Sequence, residues 1–75
     1  MDLYFWSPTC GPCKNIAPLI DDAIEKGAHI RKLDVSSDTG RYVAKLFGVT
    51  ATPTLVKFGK TDVVISGGRI AKEFQ

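Results

Sequence analysis

The chain has 75 residues, 44% hydrophobic and 24% charged, the balance of one small globular domain spanning residues 1–75. A net charge of +2, with lysines and arginines scattered and no basic run, argues against nucleic acid or an anionic membrane as a partner. No apolar stretch approaches the ~18 residues of a transmembrane helix, and the opening MDLYFWSP, acidic at Asp2, does not read as a signal peptide, so a cytoplasmic location is expected.

Residues 2–6, DLYFW, are a short apolar and aromatic run closed by Ser7-Pro8, the pattern of a buried strand. From about 10 to 26, Ile16, Leu19, Ile20, Ala23 and Ile24 recur at i, i+3, i+4, i+7 and i+8, which predicts an amphipathic helix ended by Gly27. Pro18 lies inside it and is expected to bend it. Residues 29–35, HIRKLDV, predict a second strand. The segment 36–48 opens on capping residues, carries Tyr42, Val43, Leu46 and Phe47 at helical spacing, and stops at Gly48. PTLVKF (53–58) and DVVIS (62–66) predict a hairpin around Gly59-Lys60-Thr61. The last residues, 67–75, leave room for about two helical turns. The order β-α-β-α-β-β-α gives an α/β fold, a parallel βαβ unit extended by an antiparallel hairpin. One mixed four-stranded sheet with helices on both faces follows.

Cys10 and Cys13 are the only cysteines. A bond between them closes so short a loop that it barely constrains the unfolded chain, which favours a chemical role over a stabilising one. Cys10 falls where the first strand gives way to the first helix, and a helix N-terminus favours a thiolate. Cys13, one turn further in, can turn its sulfur the same way. Gly11 permits a tight backbone, and Pro12 suits a first turn. Other readings of the pair are a zinc half-site, inert core thiols, or an iron–sulfur cluster shared between two chains. A structural zinc wants four ligands, and the chain adds only His29.

The segment WSPTCGPCKNIAP (6–18) resembles the active-site segment of thioredoxins, with Trp6, Cys10-Gly11-Pro12-Cys13-Lys14 and Pro18 in the family's places. VTATPT (49–54) is similar to the family loop that carries a cis proline, here Pro53, and Gly67 stands where the family has a glycine beside the site. The resemblance runs from about residue 2 to the end. It implies a dithiol–disulfide oxidoreductase in which Cys10 attacks a target disulfide and Cys13 resolves the mixed disulfide. It also implies a target groove made by Trp6, Gly11, Pro12, Thr52, Pro53 and Gly67, with the Thr52 backbone facing the target chain. No organic cofactor is implied, because the electrons reside on the two sulfurs. The expected partners are target disulfide proteins, ribonucleotide reductase being one candidate client, and an upstream reductase, either thioredoxin reductase or the glutathione system. A monomer is expected. Lys14 and Lys32 are candidates to tune a thiol pKa.

Two departures qualify the resemblance. The chain starts at the active-site strand, without the extra strand and helix that thioredoxins carry before it, as glutaredoxins do. Tyr4 occupies the position of the buried aspartate that thioredoxins place six residues before the first cysteine. A phenol is a poor base near neutral pH, and Asp2 is two residues away, so Cys13 is expected to ionise without a dedicated side-chain base. The alternative functions are a glutathione-recycled glutaredoxin, with Lys14 and Arg69 as candidate contacts, and a non-catalytic module whose thiols hold a metal or anchor a partner.

Overall fold

The computed structural model describes residues 1–59 and 63–74. Its elements are β1 (Asp2–Trp6), α1 (Cys13–Glu25), β2 (Ile30–Asp34), α2 (Asp38–Leu46), β3 (Thr54–Lys57), β4 (Val63–Ser66) and α3 (Arg69–Lys72), in the expected order. The strands form one sheet in the order β2-β1-β3-β4. β1 runs parallel to β2 and antiparallel to β3, and β3 pairs antiparallel with β4.

Side chains alternate across a strand, so neighbours in β1 serve opposite faces of the sheet. Tyr4 packs with Ile16 and Ile20 of α1, Leu55 of β3 and Ile70 of α3. Phe5 packs with Leu33, Ala44 and Val56. Helices therefore cover both faces, α1 and α3 on one and α2 on the other.

The boundaries differ from expectation where helices begin and end. α1 starts at Cys13, with Pro12 as its N-cap residue, so Cys10 stands outside the helix and Cys13 opens it. Pro12, unable to donate an N–H, suits a position where no intrahelical acceptor exists. The helix continues through Pro18, whose exposed ring faces away from the buried Cys13, Ile16 and Ile20. α3 is a single turn rather than two. Lys60, Thr61 and Asp62, which belong to the expected hairpin turn and fourth strand, lie outside the described residues.

The inward face of α2 also differs. Tyr42 and Leu46 are 65% and 63% exposed, and the exposed Phe47 stacks edge-on against Phe58. The side against the sheet is made instead by Gly40 and Ala44, with Val43 half-buried beside them. Two faces of this segment carry i, i+4 spacing, and the one with the smaller residues won because the helix lies close against the end of β2. Ser37 holds it there: its hydroxyl donates to the Asp34 carbonyl (2.6 Å) and accepts the Gly40 N–H (3.0 Å). A Cβ on Gly40 would overlap the Asp34 carbonyl.

Gly40→Ala is expected to destabilise the fold by about 2 kcal/mol or more, through backbone overlap that no rotamer relieves. Leu46→Ala, on the open face, should stay within about 0.5 kcal/mol of the parent. Thermal denaturation of the two variants checks this, and equal melting temperatures would refute the close approach of α2.

Candidate functional site

β1 ends at Trp6, and the chain turns before it enters α1. The Ser7 carbonyl accepts the Cys10 N–H at 3.1 Å, and the Ser7 hydroxyl accepts the Thr9 N–H at 3.2 Å. Two further turn bonds, Lys14 N–H to the Gly11 carbonyl (3.1 Å) and Asn15 N–H to the Pro12 carbonyl (3.2 Å), lead into the helix. Gly11 and Pro12 are exposed on this turn.

Cys10 and Cys13 are joined by a disulfide, their Cα atoms 5.3 Å apart. As the first helical residue, Cys13 has an N–H with no intrahelical acceptor, and it donates to Cys10 Sγ at 3.2 Å. The two sulfurs differ in access: Cys13 is only 4% exposed, whereas Cys10 is half-buried at the rim. In the reduced state the same N–H, with the helix dipole behind it, favours negative charge on Cys10.

Trp6 is half-buried beside the sulfurs and shares with Pro8, Cys10, Cys13, Lys14 and Ala17 a shallow groove of about 170 Å³. Lys14 is exposed at its rim. A smaller recess of about 90 Å³ lies between Tyr4, Trp6, Cys13, Ala17 and Lys32. The Lys32 ammonium is committed to Asp21, donating to its carboxylate at 2.7 Å. Asp21 was not singled out by sequence. The signal for it is that position 21 lies two turns beyond Cys13 on the same side of the helix.

The third part of the site is the loop before β3. Thr54 stands opposite Phe5 in the register, which brings Pro53 to the end of the sheet where β1 runs into the Cys10 turn. The Thr52–Pro53 peptide bond is cis, as expected. The Thr54 hydroxyl donates to the Ala51 carbonyl (2.6 Å), and the Gly67 N–H donates to the Pro53 carbonyl (2.9 Å). Gly67 has φ +61°, a left-handed conformation that favours glycine. Pro53 is fully buried, whereas Thr52 before it is half-buried. The N–H and C=O of Thr52 have no intramolecular partner among the described residues.

Other candidate residues lie apart. His29 is at the far end of the sheet, its carbonyl accepting the Asp2 N–H at 2.7 Å. Arg69 is exposed at the start of α3. The carboxylates at the ends of β1 and β2 accept hydrogen bonds from loop groups. Asp2 accepts the Phe58 N–H (3.2 Å), and Asp34 accepts the Ser36 N–H and hydroxyl at 2.8 and 2.7 Å.

Residues 2–75 match the family model described as Thioredoxin. Thioredoxin 1 of Nostoc sp. is 35% identical over 65 residues, covering 81% of this chain and 61% of that protein. The thioredoxin of Mycolicibacterium smegmatis is 40% identical over 57 residues, covering 72% of this chain and 51% of that protein. The crystal structure of reduced Schistosoma mansoni thioredoxin superposes with a TM-score of 0.78 at 33% identity, covering 96% of this chain and 70% of that one. The chain thus spans 61% and 51% of the length of these two curated relatives.

Tyr4 is buried against α1, and its hydroxyl has no hydrogen-bond partner among the described residues. Burial, and then the negative charge of Asp21, push its pKa above the ordinary value of 10.0. The neutral phenol is therefore preferred in the folded state. Its contribution to stability is fully present below the unfolded pKa of about 10 and is lost as pH rises through the folded value. Tyr4→Phe removes a buried hydroxyl that lacks a partner, and a group of that kind costs about 1–3 kcal/mol. The variant is expected to melt at or above the parent temperature at neutral pH and to lose stability less steeply above about pH 10. Thermal melts across alkaline pH check both, and a clear drop in stability at neutral pH would show that the hydroxyl is satisfied in solution.

Proposed function

The chain belongs to the thioredoxin family, and we propose that it works as a dithiol–disulfide oxidoreductase, reducing disulfides in target proteins through the Cys10–Cys13 couple. The observation that carries this reading is the asymmetry of the pair, a rim sulfur that accepts the Cys13 N–H at 3.2 Å beside a sulfur that is only 4% exposed.

The thiolate of Cys10 attacks one sulfur of the target disulfide. That bond breaks, a mixed disulfide forms, and the target's other sulfur leaves as a thiolate that takes up a proton. Cys13 then loses its proton and attacks Cys10 Sγ. The second target sulfur departs, and the Cys10–Cys13 bond closes. Two electrons pass from the pair to the target, so the sulfurs themselves are the redox group and no organic cofactor is needed. Trp6, Gly11 and Pro12 flank the exchange. The open backbone of Thr52, held through Pro53 and Gly67, supports main-chain pairing with an extended target.

An upstream reductase, thioredoxin reductase or the glutathione system, returns the pair to the dithiol, and ribonucleotide reductase is a candidate client. The protein works in this reading as a monomer in a reducing compartment such as the cytoplasm. Reducing the oxidised protein with each donor in turn, and comparing rates, tests which one serves it. Failure of both would count against the reductase reading.

Cys13→Ser is expected to hold targets as a stable mixed disulfide through Cys10, whereas Cys10→Ser should capture little because Cys13 is enclosed. Non-reducing electrophoresis after exposure to a disulfide target reads this, and equal trapping by both variants would invert or abolish the division of roles. With the carboxylates of Asp2 and Asp34 hydrogen-bonded to loop groups and that of Asp21 paired with Lys32, Cys13 ionises without a dedicated side-chain base. The pH–rate profiles of Asp2→Asn and Asp34→Asn should keep the titration steps of the parent. Any rate loss should fall well short of the roughly hundredfold that general-base help supplies. Loss of a titration step in either would identify that carboxylate as the base.

A further inference from the structure

A groove of about 360 Å³ lies between α2 and the loop before β3. Its floor is apolar: Val35, Ala44 and Val49 belong to or pack against the core on the α2 face. Its charged lining residues are Arg41 and Lys45, and no carboxylate lines it among the described residues. The groove adjoins the redox site at two points. Thr52 lines it and precedes Pro53, and the Val35 N–H donates to the Trp6 carbonyl at 2.9 Å. A target strand lying on the open backbone of Thr52 therefore has the groove within reach of residues next to its reactive cysteine.

The two cations are placed for an anion. They are four residues apart on α2, so they share one side of the helix one turn apart, an arrangement of like charges that disfavours the helix on its own. Arg41 is oriented by a bond from its guanidinium to the Ser36 carbonyl (3.2 Å). Its ion pair with Asp38 is long, 3.7 Å, and the Asp38 side chain is fully exposed, so the charge is little compensated. Lys45 has no carboxylate within ion-pair distance among the described residues. A target carboxylate above this groove relieves the repulsion and meets a planar guanidinium suited to bidentate contact.

We propose that Arg41 and Lys45 form a specificity subsite for an acidic side chain flanking the reactive cysteine of a target disulfide. The proposal rests on the reductase reading. The exchange itself is unchanged: two sulfur–hydrogen bonds of the protein and one sulfur–sulfur bond of the target become a Cys10–Cys13 disulfide and two target thiols. The subsite alters only which target is presented.

The test uses the chemically reduced full chain as a stoichiometric reductant, so no electron donor enters. Three disulfide-linked peptides are compared, identical except for Glu, Gln or Lys on both sides of the cysteine. The parent is expected to reduce the Glu peptide about fivefold faster than the Gln peptide at low ionic strength, the scale of two exposed ion pairs. That preference should fade at about 1 M salt, where the Debye length is ~3 Å. Arg41→Gln with Lys45→Gln should bring the Glu-to-Gln ratio to about one. Lys45→Glu with Arg41→Gln should turn the preference toward the Lys peptide, a gain that loss of folding does not produce. Equal parent rates for Glu and Gln peptides, or a Glu preference that survives the double variant, would overturn the subsite and leave the reductase reading standing. Reduction of none of the peptides would overturn the reductase reading and the subsite together.

Discussion

Tyr4 and Phe5 are adjacent in β1, turn to opposite faces of the sheet and are both fully buried. β1 is thereby fixed on both faces as well as along both edges, where β2 and β3 pair with it. In a chain of 75 residues the apolar area available is small. A central strand that serves two core clusters at once uses that area twice. The position of every other functional element is measured from where this strand stops. Trp6 is its last residue, the Cys10 turn leaves from it, and the loop carrying Thr52 and Pro53 ends opposite it.

The placement of the helix start then separates the two cysteines. Had α1 begun at Cys10, both sulfurs would stand in its first turn. With the helix beginning at Cys13, the Cys13 N–H is left to point at Cys10 Sγ, and the Cys13 side chain is drawn into the wall of the core. Access and electrostatics thus favour the same sulfur. This geometry requires no charged side chain. Lys14 is solvated, and Lys32 is held by Asp21 across the recess beside Tyr4. That recess is walled by the Tyr4 ring, at the position where thioredoxins place a carboxylate.

On the opposite face α2 is set by small residues. Gly40 lets the helix start close to the Asp34 carbonyl, and the cost of that approach is that the large apolar residues Tyr42 and Leu46 turn outward. The same rotation brings Arg41 and Lys45 over the groove beside Thr52. The packing of one helix and the charge of one surface are therefore a single consequence of a glycine.

The sequence alone determined the element order, the sheet with helices on both faces, the redox pair and the cis proline loop. The elements were legible because each is written locally, as an apolar run between breakers or a 3.6-residue period, whereas the cis proline loop was legible only through the resemblance of VTATPT, beside the Cys-Gly-Pro-Cys segment, to thioredoxins. What only the tertiary structure decided are quantities that depend on two distant segments at once. The period of residues 36–48 fitted two faces, and the distance to β2 chose between them. The sequence offered Lys32 as a candidate to tune a thiol, and α1 supplied Asp21 as its partner. Cys10 and Cys13 are chemically identical in the sequence. Only the point where the helix begins, and the core against which it packs, made one sulfur reachable and enclosed the other.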